Sequence, residues 1–158
     1  MFKIQIYLVS IIITMFSIVV DAKEPSELIN EIVNEASTIL SSTDPVESKI
    51  IKLNNIAEIN VDIEGIGMYT LGSYRKTLSD KQMLKYQKLF KSYFLKSFSS
   101  RLVDYSDPKI NVISEKKINN KYTIVNTKLE ATSKNPELNI DWRIYTKNPE
   151  RPVIRDLI

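Results

Sequence analysis

SDPKINVISEKKI, residues 106–118, is where the sequence changes its period. Before it, apolar residues recur at helical spacing. After it, they alternate with polar ones, the signature of half-buried strands. Pro108 enforces the break, because a proline pushes the residue ahead of it out of the helical region. KINVISEKKI and KYTIVNTKLEAT (residues 121–132) read as strands joined across Asn119-Asn120, residue types that suit a hairpin turn. LNIDWRIYT (residues 138–146) alternates strictly, with Leu138, Ile140, Trp142 and Ile144 on one side. Asn139, Asp141, Arg143 and Tyr145 fall on the other. PVIRDLI (residues 152–158) opens a fourth strand, with Pro149 and Pro152 crowding the turn before it.

Upstream of the break a long helix is predicted from Ser79 to about Asp104. Ser79 and Gln82 have the spacing of a capping box, with Leu78 and Met83 flanking it as a hydrophobic staple. Its apolar stripe comprises Met83, Tyr86, Phe90, Phe94, Phe98 and Leu102, widened by Leu89 and Tyr93. Lys81, Lys85, Lys88, Lys91 and Lys96 ride outside it. Gly72 closes the preceding helix, which starts near Asp62. Within that helix Gly65-Ile66-Gly67 follows no strand and is not a phosphate loop. Asp44 as N-cap, Pro45 at the first helical position and Glu47 predict the start of a second helix. A first helix from Glu24 to Ser41 carries Leu28, Ile29, Ile32, Val33, Ala36, Ile39 and Leu40 on one face. Helices first and a strand meander afterwards define an α+β domain, with helices packed on a mostly antiparallel four-stranded sheet.

The chain has 158 residues, room for one core. Apolar content of 43% and charged content of 26% are those of a globular protein, and a net charge of +3 leaves no footprint for nucleic acid. Histidine and cysteine are both absent. That removes Ser-His-Asp and Cys-His catalysis, His or Cys metal sites, and disulfides. At the N-terminus, Lys3, an apolar run from Ile4 to Val20 and Ala22 form the pattern of a secretory signal cleaved after Ala22. The run is short of the roughly 20 residues a spanning helix needs, and Gln5, Ser10, Thr14 and Ser17 dilute it.

The ordered set of motifs resembles the MlaC / toluene-tolerance family, exported auxiliary proteins of an ABC-type phospholipid transport system in Gram-negative bacteria. Pro25 and the Leu28-Ile29 face come first. LGSYRKTLSDKQ follows, with Leu71, Gly72, Tyr74, Arg75, Lys76, Ser79 and Gln82. Phe90 and Phe94, then Leu102 and Tyr105, the IDWRIY strand (Ile140–Tyr145), and Asp156 complete the set over residues 24–158. The resemblance implies a nuclear-transport-factor-like cone that encloses an apolar pocket. It implies a periplasmic carrier holding phospholipid acyl chains, with no cofactor, no metal and no catalysis. Its partners would be an outer-membrane lipoprotein complex and an inner-membrane ABC transporter complex, and its role the maintenance of outer-membrane lipid asymmetry. The expected division is a signal peptide over residues 1–22 and a single lipid-binding domain over 23–158. Family members continue past the position of Asp156 with a Gly-containing strand and a final helix, so the domain is expected to be shortened at its C-terminus.

Candidate lipid-binding residues are Leu71, Tyr74, Phe90, Phe94, Phe98, Ile140, Trp142 and Ile144. Each also suits an ordinary core position or turn. Tyr74, Arg75 and Lys76 suit either a phosphate or a solvated turn. Asp62, Asp141 and Asp156 raise the alternative of a small isomerase, although no two acids stand at a telling spacing and Asp62 serves as an N-cap. Asp141 and Arg143 share a strand face and are expected to form a surface ion pair. A third alternative is a periplasmic adaptor without lipid cargo, docking through the exposed lysines.

Overall fold

The computed structural model describes residues 23–132 and 135–158; the expected signal peptide lies outside them. The elements are α1 (Pro25–Ser41), α2 (Val46–Asn60), α3 (Ile63–Thr70), a 3-10 turn (Gly72–Lys76) and α4 (Asp80–Leu102). Strands β1 (Ile110–Asn119), β2 (Tyr122–Leu129), β3 (Leu138–Tyr145) and β4 (Val153–Leu157) follow. They pair as an antiparallel meander in the order β1-β2-β3-β4. The α+β class, with helices on an open four-stranded sheet, is therefore as the period change requires.

The ends of the helices show how local chemistry sets the boundaries. At α4 the full capping box forms: the Ser79 N–H donates to Gln82 Oε1 at 2.9 Å, and the Gln82 N–H returns to Ser79 Oγ at 3.4 Å. Asp62 caps α3 by accepting from the Gly65 N–H at 2.9 Å. Gly72, at φ +54°, makes the left-handed exit from it. Helix α1 has no side-chain cap of its own. Glu115, on β1, accepts from the Ser26 N–H at 2.8 Å and sets a negative charge at the positive end of the helix.

Helix α2 departs from expectation. Pro45 itself is the N-cap, the helix begins at Val46, and no side chain caps it. The Asp44 carboxylate turns instead to Lys52 Nζ at 2.6 Å. The hydrogen bond and charge of Lys52 hold the Asp44 carboxyl below its ordinary pKa.

In β2, Thr123, Val125, Thr127 and Leu129 are buried while their alternates are half-buried. The register sets Thr127 opposite Ile140 and Val125 opposite Trp142, so the inner faces of β2 and β3 form one surface. Helix α1 packs on β1 and β2, α2 packs on α1 and α4, and α3 bridges α4 and β4. The core lies where α1 meets the sheet, with Ile29, Val125 and Ile144 fully buried beside Leu28, Val33, Ile56 and Ile154.

The expected Asp141–Arg143 ion pair does not form. Arg143 pairs with Asp156 at 3.0 Å, and Asp141 accepts from Asn126 Nδ2 at 2.6 Å. Arg143 and Asp156 stand directly opposite across β3 and β4. Such partners are about 5 Å apart, whereas two residues along a strand separates side chains by roughly 6.5 Å.

Candidate functional site

Helix α4 packs on α2 and α3 and stands off the sheet, and the space between becomes a cavity of about 640 Å³. Its walls are mostly apolar, with Ser37, Asn60 and Ser97 as polar exceptions. Ile32, Val33, Ala36 and Leu40 come from α1, and Leu53, Ile56 and Ala57 from α2. The face-selective spacing in α1 that builds the core also builds this wall. Phe94, Phe98 and Leu102 enter from α4, and Leu129, Ile140 and Trp142 rise from the sheet. The cavity is open to solvent, and its volume falls in the roughly 300–1,000 Å³ range of ligand pockets.

The mouth opens between α4 and the sheet. Tyr93, 70% exposed, and Arg101 stand on the α4 side; Leu138 and Leu157, about half exposed, stand on the strand side. Asp156 also reaches the lining, but Arg143 neutralises it. None of the ion pairs found among the described residues involves Arg101.

The α4 stripe is a continuous ring ladder, with centroid separations of 5.8 Å for Tyr86–Phe90, 6.3 Å for Phe90–Phe94 and 6.0 Å for Phe94–Phe98. It serves two different surroundings. Tyr86 donates to the Gly67 carbonyl at 3.1 Å, and Phe90 lies so close to Gly67 that a Cβ there would stand 2.8 Å from the ring. Phe94 and Phe98, one and two turns further on, face the cavity.

Of the eight candidate residues, Phe94, Phe98, Ile140 and Trp142 come together in the cavity wall. Phe90 packs on α3, Ile144 is fully buried in the core, Leu71 is half-buried beside the 3-10 turn, and Tyr74 is 73% exposed on it. Arg75 and Lys76 are exposed on the same turn and do not reach the cavity. The lining from α1 was visible in sequence as an apolar helix face, but nothing there separated cavity wall from core, and for α2 only the start of the helix was marked. Tyr93 was visible only as a widening of the α4 stripe, and Arg101 gave no signal beyond its place on the helix.

The three acids considered for catalysis are engaged elsewhere. Asp62 takes the Arg155 guanidinium at 2.5 Å from Nη2 and 2.7 Å from Nε, while Asp141 and Asp156 hold Asn126 and Arg143. Burial works against the Arg155 charge, but hydrogen bonds to Tyr122 and Asp62 outweigh it and raise its pKa. Among the described residues no group of three or more acidic side chains could hold a metal ion, and no helix is long and apolar enough to cross a membrane.

Helices propped off an antiparallel sheet around a ligand-sized apolar cavity define an α+β binding domain. The chain belongs to the MlaC family, whose model, described as MlaC protein, matches residues 26–158. Among solved structures it is similar to the phospholipid-binding protein from Ralstonia solanacearum, determined in complex with a phospholipid. The TM-score is 0.69 at 13% identity, over 85% of this chain and 77% of that one. At that identity the likeness is one of fold. No curated protein matches the chain.

Proposed function

We propose that this protein is a phospholipid carrier of the periplasm, which holds acyl chains in the cavity between α4 and the sheet. The observation that carries the reading is an apolar cavity of about 640 Å³ in a chain of the MlaC family. Each buried methylene contributes about 0.8 kcal/mol, so ten of them supply roughly 8 kcal/mol, which corresponds to micromolar binding without polar contacts. Phe94, Phe98, Ile140 and Trp142 are the assigned acyl-chain contacts, and Arg101 is the group at the mouth suited to a phosphate. Loading and release need no bond made or broken, so the protein acts without cofactor and is not an enzyme. In the cell it would receive lipid from an outer-membrane lipoprotein complex and deliver it to an inner-membrane ABC transporter complex, maintaining outer-membrane lipid asymmetry.

The test is native mass spectrometry on protein purified from a bacterial periplasm without detergent. An added mass matching a diacyl phospholipid, lost on organic extraction, is the expected result. A folded, lipid-free protein that takes up no lipid from vesicles would overturn the carrier reading in favour of an adaptor.

A further inference from the structure

Helix α4 carries five lysines and Arg101 against a single acid, Asp80, an imbalance larger than the net charge of the whole chain. Lys81, Lys85, Lys88 and Lys96 recur at spacings of four, three and eight, which puts them on one side of the helix. All four are exposed, and none takes part in an ion pair found among the described residues; Lys91, on the flank, is held by Glu58. Lysines three and four apart repel, so the stripe weakens the helix that bears it. Large apolar side chains border it: Leu84 at 68%, Leu89 at 59% and Tyr93 at 70% exposure. The neighbouring 3-10 turn adds exposed Tyr74, Arg75 and Lys76.

We propose that this face of α4 docks the protein on an anionic lipid bilayer. An exposed helix face with cations along its centre and leucine and tyrosine beside them matches the headgroup–acyl boundary, where charge meets phosphate and the apolar side chains enter the interface. An acidic protein partner would also satisfy the lysines but would need a recess shaped for Leu84 and Leu89, whereas the bilayer interface takes them without shape complementarity. Tyr93 belongs to both the docking face and the cavity wall, so docking brings the mouth beside the membrane surface. Fewer lysines weaken the contact by about fivefold each.

The experiment is co-sedimentation of residues 23–158, which contain the core found among the described residues, with vesicles of phosphatidylcholine alone and with about one-third phosphatidylglycerol. Binding is expected to the anionic vesicles only and to fall with added salt. The combined Lys81→Gln, Lys85→Gln, Lys88→Gln and Lys96→Gln variant is expected to lose binding by two orders of magnitude or more. Glutamine at exposed helical positions keeps the fold, checked by thermal melting, and cavity lipid measured by native mass spectrometry stays the same. Equal binding of variant and parent, or no binding to anionic vesicles at low salt, would overturn the assignment. Retention on an immobilised acidic peptide without vesicle binding would also overturn it, in favour of a protein partner. Because cavity occupancy is read separately, failure of docking and failure of the carrier reading are distinguishable.

Discussion

Trp142 donates its indole N–H to Thr127 Oγ1 at 2.8 Å, across β3 and β2, while Thr127 is itself fully buried. The Thr127 hydroxyl passes the bond on to the Ile140 carbonyl at 3.2 Å. The largest side chain of the sheet's inner face therefore meets the cavity with its only polar atom already bonded. A buried threonine on a strand face is otherwise a poor choice beside valine; here it keeps an apolar wall apolar.

Thr127→Val preserves shape and removes that acceptor. The expected loss is about 1–3 kcal/mol, the cost of an unsatisfied buried donor. It is read as a fall of several degrees in the melting temperature, and the emission of Trp142, the only tryptophan, should shift with it. An unchanged melting temperature would mean that cavity water serves the indole equally well.

Ala36, on α1, lines the cavity with a methyl group. Ala36→Phe projects a ring into space that an acyl chain would use. The expected outcome is a protein as stable as the parent, since the added ring fills existing volume, that retains little or no phospholipid in native mass spectrometry. Full retention would place the acyl chains elsewhere.

Much of this fold is legible in sequence because its elements are bounded by chemistry that acts locally. The Ser79–Gln82 box, Gly72 and the Pro108 break each work within a few residues. The inner face of β3 follows from alternation alone. Asp44 misleads because Lys52, eight residues on, outcompetes its role as a cap. Arg143 misleads because its partner Asp156 comes from the neighbouring strand, through a register that no local spacing encodes. The cavity is less legible still. Phe90 and Phe98 have the same spacing and chemistry, and only the approach of α3, permitted by Gly67, assigns one to packing and the other to the wall.

Arg155 sits at the bulge of β4, pairs with Asp62, donates to Tyr122 Oη at 3.2 Å and stacks over the Tyr145 ring at 3.9 Å. It fastens the start of α3 to the sheet. Arg155→Ala should destabilise by about 1–3 kcal/mol, and Arg155→Lys should recover less than half, because lysine supplies neither the fork nor the stacking plane. A double-mutant cycle with Asp62→Ala measures the coupling; a value near zero would leave the stacking on Tyr145 as the fastening contact.

Arg101→Gln removes the cation at the mouth without touching the apolar wall. Affinity for a diacyl phospholipid should fall about tenfold or more, since a hydrogen bond to a charged group is worth about 1.5–3 kcal/mol. Binding of a diacylglycerol, which lacks the phosphate, should not change. Equal losses for both ligands would assign Arg101 a packing role instead.

The two halves of the α4 ladder should separate under identical truncation. Phe90→Ala removes the ring that packs on Gly67 and joins α4 to α3, so its cost is stability, about 2–3 kcal/mol for a half-buried ring. The folded fraction should still hold lipid. Phe98→Ala removes a ring that faces the cavity, where one side of the side chain lacks protein neighbours. Its stability cost should be smaller, about 1 kcal/mol, because fewer packing contacts are lost. Its effect belongs to the ligand: a wider, less complementary wall loses dispersion contacts with the acyl chain, and lipid should exchange to acceptor vesicles several-fold faster. Thermal melts and lipid-exchange rates on both variants decide the matter. If Phe90→Ala speeds exchange as much as Phe98→Ala does, the ladder acts as one unit and the division at α3 does not govern function.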